Sequence, residues 1–273
     1  MAPAIDTRRL GRWALNGVAG LAMAYLLTPL VSITWLAFWS QEIPTFPPEG
    51  YTLAWFAEAL AQPKFVGGFL VSLQVGVAAT LVGLVLGVPA ALAIARRGFP
   101  GRGAVNQFLL MPLVVPGIVL GTAIYVFQVE AEIATEWPIM GSIPGLVAGH
   151  VLIVIPWVVR LIVASLAGFD RSIEEAALNL GAGPWTAFFR VTLPAIRPGI
   201  VAGGLFGFVT SFGNLEMTLF LIAPGMTTLP IAILQYLEWR LDPTIAAASV
   251  MQISFIAVAM LVTDRFVKLA RVV

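Results

Sequence analysis

Residues 170–198 read DRSIEEAALNLGAGPWTAFFRVTLPAIRP and form the longest break in the apolar pattern that still carries helix and turn chemistry. Asp170 or Ser172 is placed to cap a helix, with Glu174 and Glu175 in its first turn, where negative charge opposes the positive end of the helix dipole. Ala176, Ala177 and Leu178 continue the helix, and Gly181, Gly183 and Pro184 stop it. Trp185 to Arg190 start a second short helix, which Pro194 and Pro198 are expected to end. The segment therefore predicts a helix–turn–helix hung between two membrane spans.

The rest of the chain makes the spans. Of 273 residues, 59% are hydrophobic and 11% charged, where a soluble domain carries roughly 25% charged residues. Several apolar runs reach the ~20 residues that an α-helix needs to cross the hydrocarbon. The expected class is an all-α membrane protein. There is no cysteine, which excludes disulfides and thiolate chemistry.

Taken in order, the spans are predicted at about 13–39, 65–95, 104–129, 143–169, 199–222 and 245–262. The run Trp13–Trp39 is too long for the apolar core of a signal peptide and is read as a retained first span. A short helix is expected near Leu53–Ala61, an acidic loop at Glu130, Glu132 and Glu136, and an amphipathic surface helix before the sixth span. That last helix is predicted to bury the stripe Leu229, Ile233, Leu234, Leu237 and Leu241. Arginines and lysines orient the whole: Arg8, Arg9, Arg12, Arg96, Arg97, Arg102, Arg171, Arg190, Arg197, Arg265, Lys268 and Arg271 fall on one side, and Lys64 and Arg240 on the other. The positive-inside rule then puts both termini and the 170–198 loop in the cytosol.

Glu175-Ala176-Ala177, three residues, Gly181, nine residues, Val191, one residue, then Leu193-Pro194 resembles the EAA loop of the permease subunits of binding-protein-dependent type I ABC importers. PLVVPGIVLG, HVLIVIPWVVR, SFGNLEMTLFL and DPTIAAASV are similar to the spermidine/putrescine, opine and phosphonate branch of that family, and the resemblance covers roughly residues 65–268. It implies one permease domain, 1–273, with six spans in a bacterial inner membrane. It implies, too, that Glu174, Glu175, Ala176, Ala177, Gly181, Val191, Leu193 and Pro194 couple the spans to an ATPase. Phe188, Phe189 and Leu193 would anchor the second helix against its own spans.

The expected partners are a second permease subunit (identical or paralogous), two ATP-binding subunits, a periplasmic or extracellular solute-binding protein and the bilayer, with no nucleic acid. No cofactor is expected on this chain, since it lacks the G-x-x-x-x-G-K-[ST] phosphate loop; ATP and magnesium belong to the partner subunits. The chain is expected to be non-catalytic.

Residues for the solute path are fewer. Glu216 lies among apolar neighbours late in the fifth span, where an ionisable group faces a water-filled path or a partner. Ser211 and Asn214 are close to it in sequence, and Gln74 in span two is a weaker candidate. A surface position for Glu216, or a pair with Arg240, is the competing reading. His150, the only histidine, is expected to be packed or hydrogen-bonded. Gly199, Gly203 and Gly207 at four-residue spacing predict close helix packing. In the polyamine branch an acidic residue often follows Ser-Phe directly; here Gly213-Asn214 takes that place. That departure leaves room for an amino acid, an opine or an aminophosphonate, and the expected solute is a small polar one, polyamine-like or another amine-bearing compound. The alternative class is an ion-coupled secondary transporter or channel without an ATPase.

Overall fold

Proline and glycine cut the apolar runs into eleven α-helices among residues 7–267, the part of the chain that the computed structural model describes. They are α1 (Thr7–Leu36), α2 (Ala54–Ala61), α3 (Pro63–Arg96), α4 (Arg102–Leu110), α5 (Gly117–Thr135), α6 (Ile143–Ala167), α7 (Arg171–Asn179), α8 (Pro184–Ala187), α9 (Leu193–Phe212), α10 (Leu229–Leu237) and α11 (Thr244–Val267). Among these residues six helical stretches are long and apolar enough to cross a membrane. Lys268 and Arg271 lie outside the described residues, as do the side chains of Arg8 and Arg9.

The chain divides into two units. In the first, residues up to 62 with 236–253, α1 leaves its whole membrane-length window exposed, Trp13, Leu21 and Tyr25 included. Trp39 and Tyr51 form a β-bridge, and the Trp55 indole N–H donates to the Trp39 carbonyl at 2.6 Å. The Asp242 carboxylate accepts from the Thr244 N–H and from the Tyr236 hydroxyl, both at 2.9 Å, and so caps the start of α11.

The second unit, residues 63–235 with those from 254 on, is built around α6, the most buried of the six long helices. Its core joins Ala79, Ala91 and Ile94 of α3 to Val154, Val158, Val159 and Ile162 of α6 and Ile196 of α9. Glycines let these backbones close up. A Cβ at Gly83 of α3 or Gly207 of α9 would meet Val154 Cγ1 at 2.5 and 2.7 Å. One at Gly203 would meet the Cα of Val158 at 2.9 Å, and one at Gly199 the Leu161 carbonyl oxygen at 2.8 Å. The glycine row of the fifth span is thus a packing seam within this chain.

Several expectations are corrected. The third span does not run as one helix from 104: Pro112 lies in a 3-10 turn at Met111–Leu113, and a fresh helix starts only after Pro116. Proline lacks the N–H needed to continue the ladder, so α4 and α5 are separate. The acidic loop is displaced as well, because Glu130 and Glu132 lie inside α5 and only Glu136, at φ +59°, terminates it.

Nor do Pro194 and Pro198 end the second loop helix. α8 passes through a π-helical segment, Phe188–Thr192, straight into α9, with Pro194 in the first turn and Pro198 inside. The Pro194 ring crowds the carbonyl of residue 190, and the wider π turn relieves that crowding. The fifth span therefore starts earlier than predicted and also stops earlier, at Phe212. Finally, α10 buries only Leu229 of the expected stripe, together with Ile231 and Ala232, while Leu237 and Leu241 are exposed; the Leu229 N–H donates to Ser72 Oγ of α3 at 3.0 Å.

Candidate functional site: the 170–198 loop and the break after α9

The 170–198 loop folds as its turn chemistry dictates. Asp170 caps α7 by accepting from the Ser172 N–H at 2.9 Å, and these hydrogen bonds hold its carboxyl below the usual carboxylate range. A carboxyl held low keeps its charge, and the cap, at neutral pH; the contribution is lost as pH falls through that lowered value. At the other end, the Gly181 N–H bonds the Leu178 carbonyl at 2.9 Å and the Ala182 N–H bonds that of Ala177 at 3.0 Å. This is a Schellman ending, which needs the left-handed residue that Gly181 supplies at φ +90°. No atom lies within 4 Å of a Cβ built there, so the backbone angle, not crowding, requires glycine.

The two glutamates separate. Glu174 turns inward, its carboxylate bracketed by the Arg96 guanidinium at the end of α3 with contacts of 2.7 and 3.1 Å. Arg96 also donates to Thr192 Oγ1 at 3.1 Å, and the Thr192 hydroxyl donates to Glu174 at 3.0 Å. Thr192 is fully buried in the π segment. One closed network therefore ties the end of α3, the first turn of α7 and the root of α9. Arg171 adds a bond to the Arg96 carbonyl at 3.0 Å. Neither Arg96 nor Thr192 stood out in the sequence. Arg96 reads there as one basic residue among many, and Thr192 as the unspecified spacer between Val191 and Leu193.

Glu175 faces outward, and α7 buries none of its residues. Ile173, Leu178 and Leu180 are left exposed, Leu180 at 89%. Phe189 does not anchor against the spans as expected: it is 57% exposed and stacks on exposed Trp185 with ring centroids 6.2 Å apart. Ala176 is exposed too, Ala177, Val191 and Leu193 are half-buried, and Pro194 is exposed.

The second region is the break after α9. Gly213 follows Phe212 as the helix C-cap, and the Asn214 side chain takes over the bonding of the unwound backbone. Its Oδ1 accepts from the Thr218 N–H at 3.1 Å and the Thr218 hydroxyl at 2.9 Å. Since that hydroxyl donates to Asn214, it accepts from His150 Nε2 at 3.1 Å, and Nδ1 is paired with Ser211 Oγ at 2.7 Å. His150 thus carries a proton on Nε2 and is hydrogen-bonded at both ring nitrogens in the core of α6, about 10 Å along the axis from the start of that helix. Non-helical backbone at this depth requires such internal partners. Thr218→Val leaves the imidazole N–H unpaired, which costs about 1–3 kcal/mol. A lower melting midpoint of the purified protein, with Thr218→Ser close to wild type, is the expected result.

Glu216 lies in this unwound stretch, beyond the fifth-span helix. Its side chain covers Gly117, the first residue of α5, so closely that a Cβ there would collide with the carboxylate and meet Glu216 Cβ at 2.8 Å. The N–H groups that open α5 have no side-chain cap and favour a negative group at that spot. Glu216 itself remains exposed. Ser211 and Asn214 join the His150 network; Gln74 sits on an exposed face of α3 and takes no part in it.

These features meet known proteins. Residues 83–271 match the family described as the binding-protein-dependent transport system inner membrane component. The putrescine transport system permease protein PotI of Escherichia coli strain K12 is 31% identical over 228 residues, covering 83% of this chain and 81% of PotI. PhnV of Salmonella paratyphi A, named for 2-aminoethylphosphonate transport, is 28% identical over 262 residues, 96% of each chain. A bacterial ABC transporter that imports alginate shares the fold, with a TM-score of 0.70 at 13% identity over 97% of this chain and 99% of its own. The chain belongs to the inner-membrane permeases of binding-protein-dependent ABC importers. It is a multi-pass protein of the inner membrane with the permease fold of those importers.

Proposed function

We propose that this chain, as one permease domain, lines the path of a small amine-bearing solute and is driven by ATP hydrolysis on two separate subunits docked at residues 170–198. The observation that carries the docking is α7 itself. It is an amphipathic helix, properly capped at both ends, that buries nothing and holds Ile173, Leu178 and Leu180 outward beside Glu175. Such a face needs a partner groove. The loop and both termini then face the cytosol, in line with the arginine distribution. The exposed length of α1 meets lipid or a second permease subunit. A solute-binding protein delivers from the opposite side, and ATP and magnesium stay on the ATPases.

For the solute, Glu216 is the group that attracts a cationic amine, and Ser211, Asn214 and Gln74 are further path candidates. PotI and PhnV are both named for amine-bearing compounds, which supports the same class here. Affinity purification from the native membrane tests the docking. Wild type is expected to bring down an ATPase subunit, while Leu180→Asp, at a position with no packing to lose, and Gly181→Asp are expected to release it. A stable wild-type protein that captures no ATPase overturns the proposal. In vesicles of the whole transporter, Glu216→Gln is expected to raise the KM for putrescine or 2-aminoethylphosphonate about tenfold, the scale of one ~1.4 kcal/mol charge contact. Gly117→Ala, which displaces the carboxylate, is expected to move KM the same way; uptake unchanged in both removes Glu216 from the path.

A further inference from the structure

A cavity of about 220 Å³ opens where α3 and α6 end and α4 and α7 begin. Arg96, Arg102 and Arg171 line it over an apolar floor that includes Val163, Leu166 and Phe169. The three guanidinium groups are unequal. Arg96 is neutralised by Glu174 and lies 6.0 Å from the Phe169 ring centre. Arg171 spends one N–H on the Arg96 carbonyl and is otherwise exposed. Arg102 is exposed, and among the described residues no carboxylate lies within ion-pair distance of it or of Arg171. Of the nearby carboxylates, Glu174 is engaged with Arg96 and Asp170 with the cap of α7, and Glu175, one turn along α7, faces outward without an ion pair to Arg171. At the same edge α4 opens on Gly101, at φ +81°, without a side-chain cap, so the N–H groups of its first turn also present positive charge.

We propose that this cavity binds the phosphate of an anionic phospholipid from the cytosolic leaflet, held by Arg102 and Arg171 with the glycerol end on the apolar floor. A free phosphate would have to shed water against Leu166 and Phe169 and gain nothing from them. A phospholipid brings its charge and its apolar chains together, and basic pockets between spans on the cytosolic side suit such headgroups. The choice of leaflet rests on the orientation given under Proposed function; the pairing of charges does not. Because Arg96 belongs both to this cavity and to the Glu174–Thr192 network, the lipid would sit directly beside the element that links the spans to the loop.

The test uses the transporter purified with its partner subunits, stripped of lipid by detergent exchange and returned to nanodiscs of phosphatidylcholine with or without phosphatidylglycerol. Bound lipid is read by native mass spectrometry. The wild type is expected to retain phosphatidylglycerol over phosphatidylcholine, and each arginine removed, in Arg102→Gln and then Arg102→Gln/Arg171→Gln, to weaken retention about fivefold. Arg102→Lys/Arg171→Lys is expected to keep most of it. Equal retention by the double glutamine variant and the wild type, or no preference for phosphatidylglycerol, overturns the site. Displacement by glycerol 3-phosphate at the same concentration overturns the lipid in favour of a free phosphate ester. Because lipid retention is read on this chain whether or not an ATPase stays bound, a failed docking experiment and a failed lipid site give different results.

Discussion

Arg96→Glu is expected to reduce binding-protein-stimulated ATP hydrolysis and solute uptake together by roughly ten- to a hundredfold, the scale of a lost ~1.5–3 kcal/mol charged hydrogen bond. The purified protein should still assemble with its ATPase, since Arg96 lies behind the exposed face of α7 and contributes nothing to it. The substitution sets a carboxylate against Glu174 and takes away the donor to Thr192, so the three contacts made by Arg96 fail at once and only the Thr192–Glu174 bond is left. The Arg96 and Glu174 side chains are only about one-fifth exposed, which limits solvent screening. The decisive variant is the exchange Arg96→Glu/Glu174→Arg. It restores the pair with reversed sign, and an arginine at 174 can donate to Thr192. Recovery of most of the stimulated activity would show that the charge pair links the loop to α3. Loss in the single variant without recovery in the exchange would reduce the network to local folding.

The second large effect concerns the glycine seam of α9. Gly203→Ala is expected to destabilise the protein by about 1–3 kcal/mol, the usual cost of overpacking a close-packed site. Gly203→Leu is expected to abolish stable expression. The obstacle at Gly203 is backbone, the Cα of Val158 at 2.9 Å, and backbone cannot turn aside as a side chain can. Gly67→Ala provides the control, since nothing lies within 4 Å of a Cβ there and α3 gains helix propensity. Fluorescence-detected size exclusion across a temperature ramp measures both. Equal midpoints for Gly203→Ala and Gly67→Ala would mean that α6 and α9 can part without cost.

Much of the permease was legible from one dimension because its determinants are local. Span length is set by bilayer thickness, and six apolar runs answer it. The turn at Gly181 was readable because a left-handed helix ending leaves a local residue signature, and the cap was narrowed to Asp170 or Ser172 because a capping side chain sits next to the helix it starts. Proline was read less well. The same residue that broke the third span at Pro112 and Pro116 was carried through at Pro194, where the backbone widened into a π turn in place of stopping.

What only the tertiary structure decided is which polar groups share a site. Glu174 and Glu175 are adjacent and chemically alike, yet one is spent on Arg96, 78 residues away, and the other is left exposed. His150 finds Ser211 and Thr218 from distances of 61 and 68 residues. Glu216 was legible as a costly charge in an apolar run, but its place over Gly117 depends on α9 stopping at Phe212 and on α5 starting where it does. Sequence alone determined that this chain crosses the membrane, where in the chain the spans are interrupted by a helical loop and which residues could cap it, because hydrophobic length and turn chemistry act between neighbours. The pairing of charges across helices had to wait for the fold, because buried polar groups must find partners in three dimensions and those partners leave no spacing to read.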